Sequence, residues 1–305
     1  MPSGIQVRCP DPTIRRHVRS WLQEGRISPP VPLSIDIQLQ ESTPPQDGVP
    51  VIFEQPGVSV RRHPLDGKLS ITWETAPAVA EFRSGDSCAH VILSPEAAKR
   101  IEDSTRTFML TVLIFLLRRA GWHHVHGATA VDRKGRGWLF AGDSHSGKST
   151  TAALVCSRGW AVGTDDIAFL APAGERVEVR AFRSRIALRS GGRDLLARAG
   201  GVPLPARGKM GFWPDELGGS WVPTVQPEIV IFTAVGGEHT RAEPLGPGDT
   251  LAQLVRWSAW VVVEPGLANE HLGLISRLGR QSRAYRVSLG RDLFRHPDLL
   301  SELIP

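Results

Sequence analysis

Cysteine is scarce in this chain. Three occur among 305 residues, Cys9, Cys88 and Cys156, and none belongs to a C-x-x-C pair. That argues against a disulfide framework and against a structural zinc site. Long apolar runs are missing too. The longest, FMLTVLIFLL from Phe108 to Leu117, is flanked by Arg106, Arg118 and Arg119 and falls short of the roughly 20 residues that cross a bilayer. The opening stretch MPSGIQVRCPDPTIRRH has no apolar core of the kind a secretion signal carries. No block of basic residues stands out despite a net charge of +5, because the arginines are spread along the chain, and no zinc-finger or RNP-type motif occurs. These absences lead to the expectation of a cytoplasmic protein with reduced thiols, no membrane partner and no nucleic-acid partner. A composition of 41% hydrophobic and 22% charged residues is that of a folded globular protein, and the length suggests about two domains.

The first ninety or so residues alternate short apolar stretches with proline and glycine: PPVPLSIDIQL, GVPVIFEQPGVSVRR, GKLSITW, CAHVILS. They read as strands joined by turns, a small β-rich module over residues 1–93. A single long helix is expected next, SPEAAKRIEDSTRTFMLTVLIFLLRRAG, with Ser94 as N-cap, Pro95 at the first helical position and Gly121 after a basic last turn. From 94 to 305, strands and helices alternate, the pattern of an α/β domain. HHVHGATAVDRKGRGWLFAGD reads as two strands around a DRKGRG turn. WAVGTDDIAFLAP reads as a strand carrying two aspartates, and RVEVRAFRSRIAL as further strand. GGRDLLARAG, PGDTLAQLVRWSAW and GLANEHLGLISRLGR read as helices, AYRVSL as a strand and HPDLLSELI as a last helical piece.

Residues Gly142 to Ser149, GDSHSGKS, fit the spacing G-x-x-x-x-G-K-[ST], between apolar WLFA and helix-forming TTAALV. Such a loop wraps backbone N–H groups around a polyphosphate, and the helix that begins in it adds its positive end. The nucleotide set is then Gly142, Asp143, Ser144, His145, Ser146, Gly147, Lys148, Ser149 and Thr150. Lys148 would reach the β- and γ-phosphates of ATP, and the Ser149 hydroxyl would sit on Mg²⁺. His145 stands where many such loops carry glycine. Either the backbone avoids positive φ there, which is the expectation, or the imidazole adds a donor near the phosphates.

Downstream, Asp165 and Asp166 follow the loop closely. Paired carboxylates there suit a division of labour, one accepting a proton from an attacking hydroxyl and one helping to hold Mg²⁺. An Asx turn with a solvated acid is the competing reading. Upstream, His126 lies on the strand before the hairpin, where an imidazole can tune a carboxylate base. Its neighbours His123 and His124 weaken any argument from residue type alone.

His126-Gly127, GDSHSGKST and TDD, in this order and approximate spacing, resemble the catalytic core of HPr kinase/phosphorylase over residues 122–171. AFRSRIALR, GKMGFWPDEL and AYRVSLGRDL are similar to stretches of the divergent HPr-kinase-like proteins found beside peptide-modification genes, the lasso-peptide tailoring kinases among them. The resemblance implies a P-loop core of the HPr kinase / phosphoenolpyruvate carboxykinase type with a small β-rich N-terminal domain. It implies Asp165 as general base, His126 as its assistant, Asp166 near metal and phosphate, and Lys209 as a phosphate or substrate contact. Two departures limit it. Thr150 stands where the classical enzymes have glutamate, and their Glu-Val-Arg-Gly stretch has no clear counterpart. Neither HPr as substrate nor the reverse phosphorylase activity therefore carries over.

The function expected is ATP- and Mg²⁺-dependent phosphorylation of a serine or threonine in a protein or peptide. An arginine such as Arg183, Arg185 or Arg189 would help stabilise the transferring group. A small-molecule kinase, acting for instance on an amino acid, and a nucleotide-binding regulatory module without transfer activity stay open, as does a homo-oligomer. Trp213 and Trp221 suit either a peptide groove or packing under a lid.

Overall fold

The computed structural model describes residues 4–83, 85–104, 107–189, 201–204 and 208–304. The chain is mixed α/β and divides into two compact units, Met1–Trp122 and His123–Pro305.

In the first unit a seven-stranded sheet runs β1-β2-β7-β6-β5-β4-β3. Its strands are β1 (Ile5–Arg8), β2 (Leu33–Leu39), β3 (Val51–Gln55), β4 (Val58–Arg62), β5 (Leu69–Trp73), β6 (Ala78–Phe82) and β7 (Cys88–Leu93). The expected strands are there, but α1 (Pro12–Gly25) is a helix that the pattern of strands and turns misses. Its signals are local. The Asp11 carboxylate accepts from the Thr13 and Ile14 N–H groups at 2.7 and 2.9 Å, and Pro12 opens the first turn. Ile14, Val18 and Leu22, four residues apart, form the buried stripe.

The long helix expected from Ser94 is instead three pieces: α2 (Pro95–Lys99), α3 (Ile101–Ser104) and α4 (Phe108–Arg118). Ser94 does cap it, accepting from Ala97 N–H at 3.1 Å. Beside the second interruption the Ser104 hydroxyl donates to the Ile101 carbonyl at 2.7 Å, and serine and threonine run together here. Such side chains compete with helical backbone bonds. Composition puts the domain boundary at 93, whereas the compact units divide after Trp122. The reason is the apolar helix α4. Phe108 stacks on Trp73 of β5 with ring centres 6.2 Å apart, and Phe115 meets Phe82 of β6 at 6.0 Å.

The second unit is built on a sheet whose main path is β17-β12-β11-β8-β9-β18-β20-β19. Here β8 is His123–Val131, β9 Gly137–Ala141, β10 Ala161–Thr164, β11 Ile167–Ala173 and β12 Arg176–Ala181; β17 is Thr224–Val225, β18 Pro227–Val235, β19 Arg241–Pro244 and β20 Arg283–Leu289. Off this path, β10 pairs with β8 and with the short β16 (Ser220–Trp221). The two faces are read off β9. Trp138 and Phe140 enter a core shared with α5 (Lys148–Cys156). Leu139 and Ala141 enter the other, shared with α6 (Pro247–Arg256) and α7 (Pro265–Gln281). A strand buried on both faces reads as a continuous apolar run, as WLFA does. A small separate sheet orders β13 (Ile186–Leu188), β15 (Lys209–Phe212) and β14 (Val202–Leu204). Leu299–Leu303 forms the last helical piece, as expected. The helix expected at 191–200 lies outside the described residues.

The DRKGRG turn between β8 and β9 closes on one buried carboxylate. Asp132 Oδ1 accepts from the Lys134 and Arg136 N–H groups, and Oδ2 accepts from Arg136 Nε at 2.7 Å and Trp138 Nε1 at 3.1 Å. Burial alone pushes its pKa up, but the Arg136 backbone and guanidinium and the Trp138 indole outweigh burial and hold it below the ordinary value. A carboxyl depressed in the folded state adds stability that is present at neutral pH and lost as pH falls through the folded value. Asp132→Ala should cost about 2–3 kcal/mol, since it leaves a buried indole N–H without its acceptor. Thermal unfolding from pH 7 to pH 3 should show the variant losing less stability on acidification than the wild type.

Candidate active site

β9 runs straight into the glycine loop, and α5 begins at Lys148. Gly147 has φ 95° at the helix N-cap, a left-handed conformation suited to glycine. Gly142 is constrained by its neighbours: a Cβ there would lie 2.7 Å from the Thr233 carbonyl oxygen and 2.7 Å from Ser146 Oγ. Thr233, on β18, braces the loop. Its hydroxyl lies 2.9 Å from Ser146 Oγ and donates to the Ala141 carbonyl at 3.2 Å. Ser146 is therefore a structural member of the loop.

A cavity of about 410 Å³ opens at the end of the loop. Ser144, His145, Gly147, Lys148, Ser149 and Thr150 line it from the loop side. Facing them are His126, Asp165, Asp166, Ala187, Arg189, Lys209 and Val235. The nine loop residues expected to hold nucleotide thus separate. Six reach the cavity, whereas Gly142, Asp143 and Ser146 shape the loop without lining it. Asp143 points to solvent and meets Arg256 at 3.4 Å.

The carboxylates arrive by strand registry. The N-terminal half of β8 pairs with β11, Ile167 opposite His126, and its C-terminal half pairs with β10, Thr164 opposite Thr129. The expected single strand WAVGTDDIAFLAP is therefore two, and Asp165 and Asp166 sit where the chain crosses from one to the other. The Thr164 hydroxyl fixes this crossing, accepting from the Asp166 and Ile167 N–H groups at 3.3 and 3.0 Å. The turn at this crossing is built on the Thr164 hydroxyl. Asp165 is 5% exposed and its Oδ2 accepts from Ala187 N–H at 3.0 Å. Asp166 is more open, and its Oδ1 lies 3.0 Å from His126 Nδ1. His126, implied as assistant to Asp165, lies against Asp166.

His123 and His124 are packing residues. His123 stacks on His271 with ring centres 4.8 Å apart, and His124 meets the Phe169 ring edge-on.

Lys148 is 6% exposed and its Nζ donates to the carbonyls of Gly142 and Asp143, both at 2.8 Å. Burial lowers its pKa; Asp166, Asp143 and Asp165 pull the other way, and Lys209 adds to the lowering. Asp165, Asp166 and Lys209 line the same cavity as this ammonium. Of the three candidate arginines, Arg189 lines the cavity. Arg183 and Arg185 stack on Trp213, at 4.1 and 4.5 Å, and Arg185 also pairs with Glu216. Trp221 is tied by its indole N–H to the Gly163 carbonyl at 2.9 Å. Sequence reasoning misses Thr233, Ala187 and Val235. Only Thr233, a polar residue inside the apolar run IVIFTAV, leaves a trace there.

Ser149 and Asp166 offer the hard oxygen donors that Mg²⁺ takes, and the cavity leaves space for a polyphosphate's oxygens beside them. Elsewhere, Asp36, Cys88 and His90 bring one donor each within 4.8 Å of one another, but Asp36 already holds the Arg8 guanidinium at 3.2 Å. Gly142→Ala should destabilise the second unit by about 2 kcal/mol, because the new methyl group meets backbone that cannot move aside. Thermal unfolding checks this, and Gly237→Ala, where a Cβ meets nothing within 4 Å, is the control.

No family model matches this chain, and no curated protein does. Among solved structures it is similar to the Hpr(Ser) kinase/phosphatase from Coxiella burnetii, at 13% sequence identity over 60% of this chain and 93% of that one, with a TM-score of 0.32. A likeness that slight bears no weight, and the function has to be argued from the cavity and its residues.

Proposed function

We propose that this chain is an ATP-dependent kinase that transfers the γ-phosphoryl group to a serine or threonine hydroxyl of a protein or peptide. One observation carries the reading: the loop's Lys148, Ser149 and Thr150 share a cavity with Asp165, Asp166, His126, Lys209 and Arg189. A nucleotide holder needs only the first group. The second supplies what transfer requires, a proton acceptor and cations around the moving phosphoryl.

The roles follow from the surroundings of each group. The loop N–H groups and the start of α5 hold the β- and γ-phosphates. Lys148 exchanges the Gly142 and Asp143 carbonyls for phosphate oxygens, where its charge opposes the negative charge that shifts to the β–γ bridge. Ser149 and Asp166 would hold Mg²⁺, with His126 against the Asp166 carboxylate fixing its direction. When bound, the ion neutralises the phosphate oxygens and orients them for in-line attack. Asp165, steadied by Ala187 N–H, takes the proton of the incoming hydroxyl. Lys209 stabilises the transferring group from the opposite wall. Arg183 and Arg185, stacked on Trp213 beside the strand that carries Ala187, form a cationic and aromatic ledge. That ledge favours a peptide acceptor over a free amino acid.

Three variants separate these roles. Lys148→Ala should abolish ATP binding in calorimetry. Asp165→Asn should bind Mg·ATP normally while transfer of labelled γ-phosphate falls about 10²–10⁴-fold. Asp166→Asn should raise the Mg²⁺ concentration needed for half-maximal rate, an effect Asp165→Asn should lack. Full activity in Asp165→Asn would remove the base assignment. Nucleotide binding without a labelled acceptor peptide or protein in any extract would favour a regulatory module.

A further inference from the structure

Among the described residues two that are not glycine have positive φ, Arg26 at 52° and His145 at 68°. Arg26 is explained by its place: it is the left-handed C-cap of α1, and its N–H reaches the Gln23 carbonyl. His145 caps nothing. It sits inside the glycine loop, where glycine would adopt the same backbone without a Cβ penalty. The expectation that the loop avoids positive φ is thus overturned, and the strain is borne by a side chain that lines the cavity. Outliers of this kind cluster at ligand sites, and the loop holds this one with its side chain at the cavity, where it can take on a task.

The task is legible from its neighbour. Arg189 Nη2 lies 3.4 Å from His145 Nε2 across the cavity mouth, and both side chains are exposed. A guanidinium has donors only, so the imidazole nitrogen facing it accepts and Nδ1 carries the proton. That proton and the remaining guanidinium N–H groups are donors at the rim. Around them stand Lys148 and Lys209 as cations, Asp165 and Asp166 as anions, and His126. The loop N–H groups and Lys148 serve the β-phosphate and the near side of the γ-phosphate. Donors from two separate segments at the rim suit the γ-phosphate oxygens that those groups leave unmet.

We propose that His145 and Arg189 form a two-sided clamp on the terminal phosphate, by which the site distinguishes a nucleoside triphosphate from a diphosphate. The clamp rests on the nucleotide-binding reading above and adds to it which part of the nucleotide is read, and by what. Two charge-assisted contacts to one anion cooperate, so losing either should remove most of the discrimination.

The experiment is equilibrium binding of Mg·ADP and of a non-hydrolysable Mg·ATP analogue to the full chain, with His145→Gly, Arg189→Ala and the double variant. His145→Gly suits the backbone, so its melting temperature should equal or exceed that of the wild type, which separates lost contact from lost folding. The clamp requires ADP affinity within about twofold of wild type and triphosphate affinity reduced about tenfold or more, the range of a charge-assisted hydrogen bond. The double variant should bind the triphosphate no more than about threefold more weakly than the weaker single one, because the two contacts are coupled. Unchanged triphosphate affinity in His145→Gly would overturn the clamp and leave nucleotide binding standing. A wild-type chain that binds neither nucleotide would overturn the nucleotide reading, and the clamp with it.

Discussion

One strand decides where the glycine loop and the paired carboxylates end up. β8 bonds along one edge to β9 and along the other to two successive strands, β11 and then β10. Its first edge fixes the glycine loop, since Gly127 lies opposite Ala141, the last residue before the loop. Its second edge obliges the chain to cross from β10 to β11 beside His126, at Asp165 and Asp166. A side chain on one edge shifted by a single residue would change faces. The loop and the carboxylates therefore meet through the registry of a single strand, whatever happens in the segments between. Close packing along β8 protects that registry. A Cβ on Gly127 would stand 2.8 Å from the Phe140 carbonyl, and one on Gly163 would stand 2.5 Å from Thr129 Oγ1.

Electrostatics then settles the character of the cavity. Lys148 is held by two loop carbonyls, a position that burial makes costly for an ammonium and that nearby aspartates relieve. An incoming phosphate offers that ammonium stronger, charged acceptors than the carbonyls do. On the kinase reading proposed above, Lys148 would leave these carbonyls for phosphate oxygens. Asp166, Asp143 and Asp165 contribute to the same balance, because their charges favour the ammonium that burial disfavours.

How much of this is legible in the sequence depends on whether a feature is local. The glycine loop between apolar strand and helix is legible because spacing and flanks lie close together along the chain. The Asp165-Asp166 pair and His126 are visible as residues, and so is Ser94 as a cap. The partner of His126 is not legible, because Asp166 rather than Asp165 faces it only through the offset of β8 against β11. The helix α1 escapes notice although Asp11, Pro12 and the Ile14–Val18–Leu22 spacing announce it, since the surrounding proline-rich strands dominate the pattern. The long helix is divided at Arg100 and again after Ser104, whose hydroxyl donates to the Ile101 carbonyl. The boundary at 93 fails because α4 is apolar on all sides, and composition cannot tell which sheet such a helix will cover.

His145 shows a different limit. Spacing marks the position as one for glycine, and propensity then predicts that a bulkier residue will force the backbone elsewhere. The backbone stays left-handed because its neighbours leave no alternative. Gly142 is pinned against Thr233, Ser146 is bonded to the same threonine, and Gly147 turns directly into α5. A loop fixed at both ends dictates φ at its middle, and the residue there adapts or is replaced. Local preference predicts a conformation only where the chain is free to choose it, and a phosphate loop braced by a neighbouring strand is not.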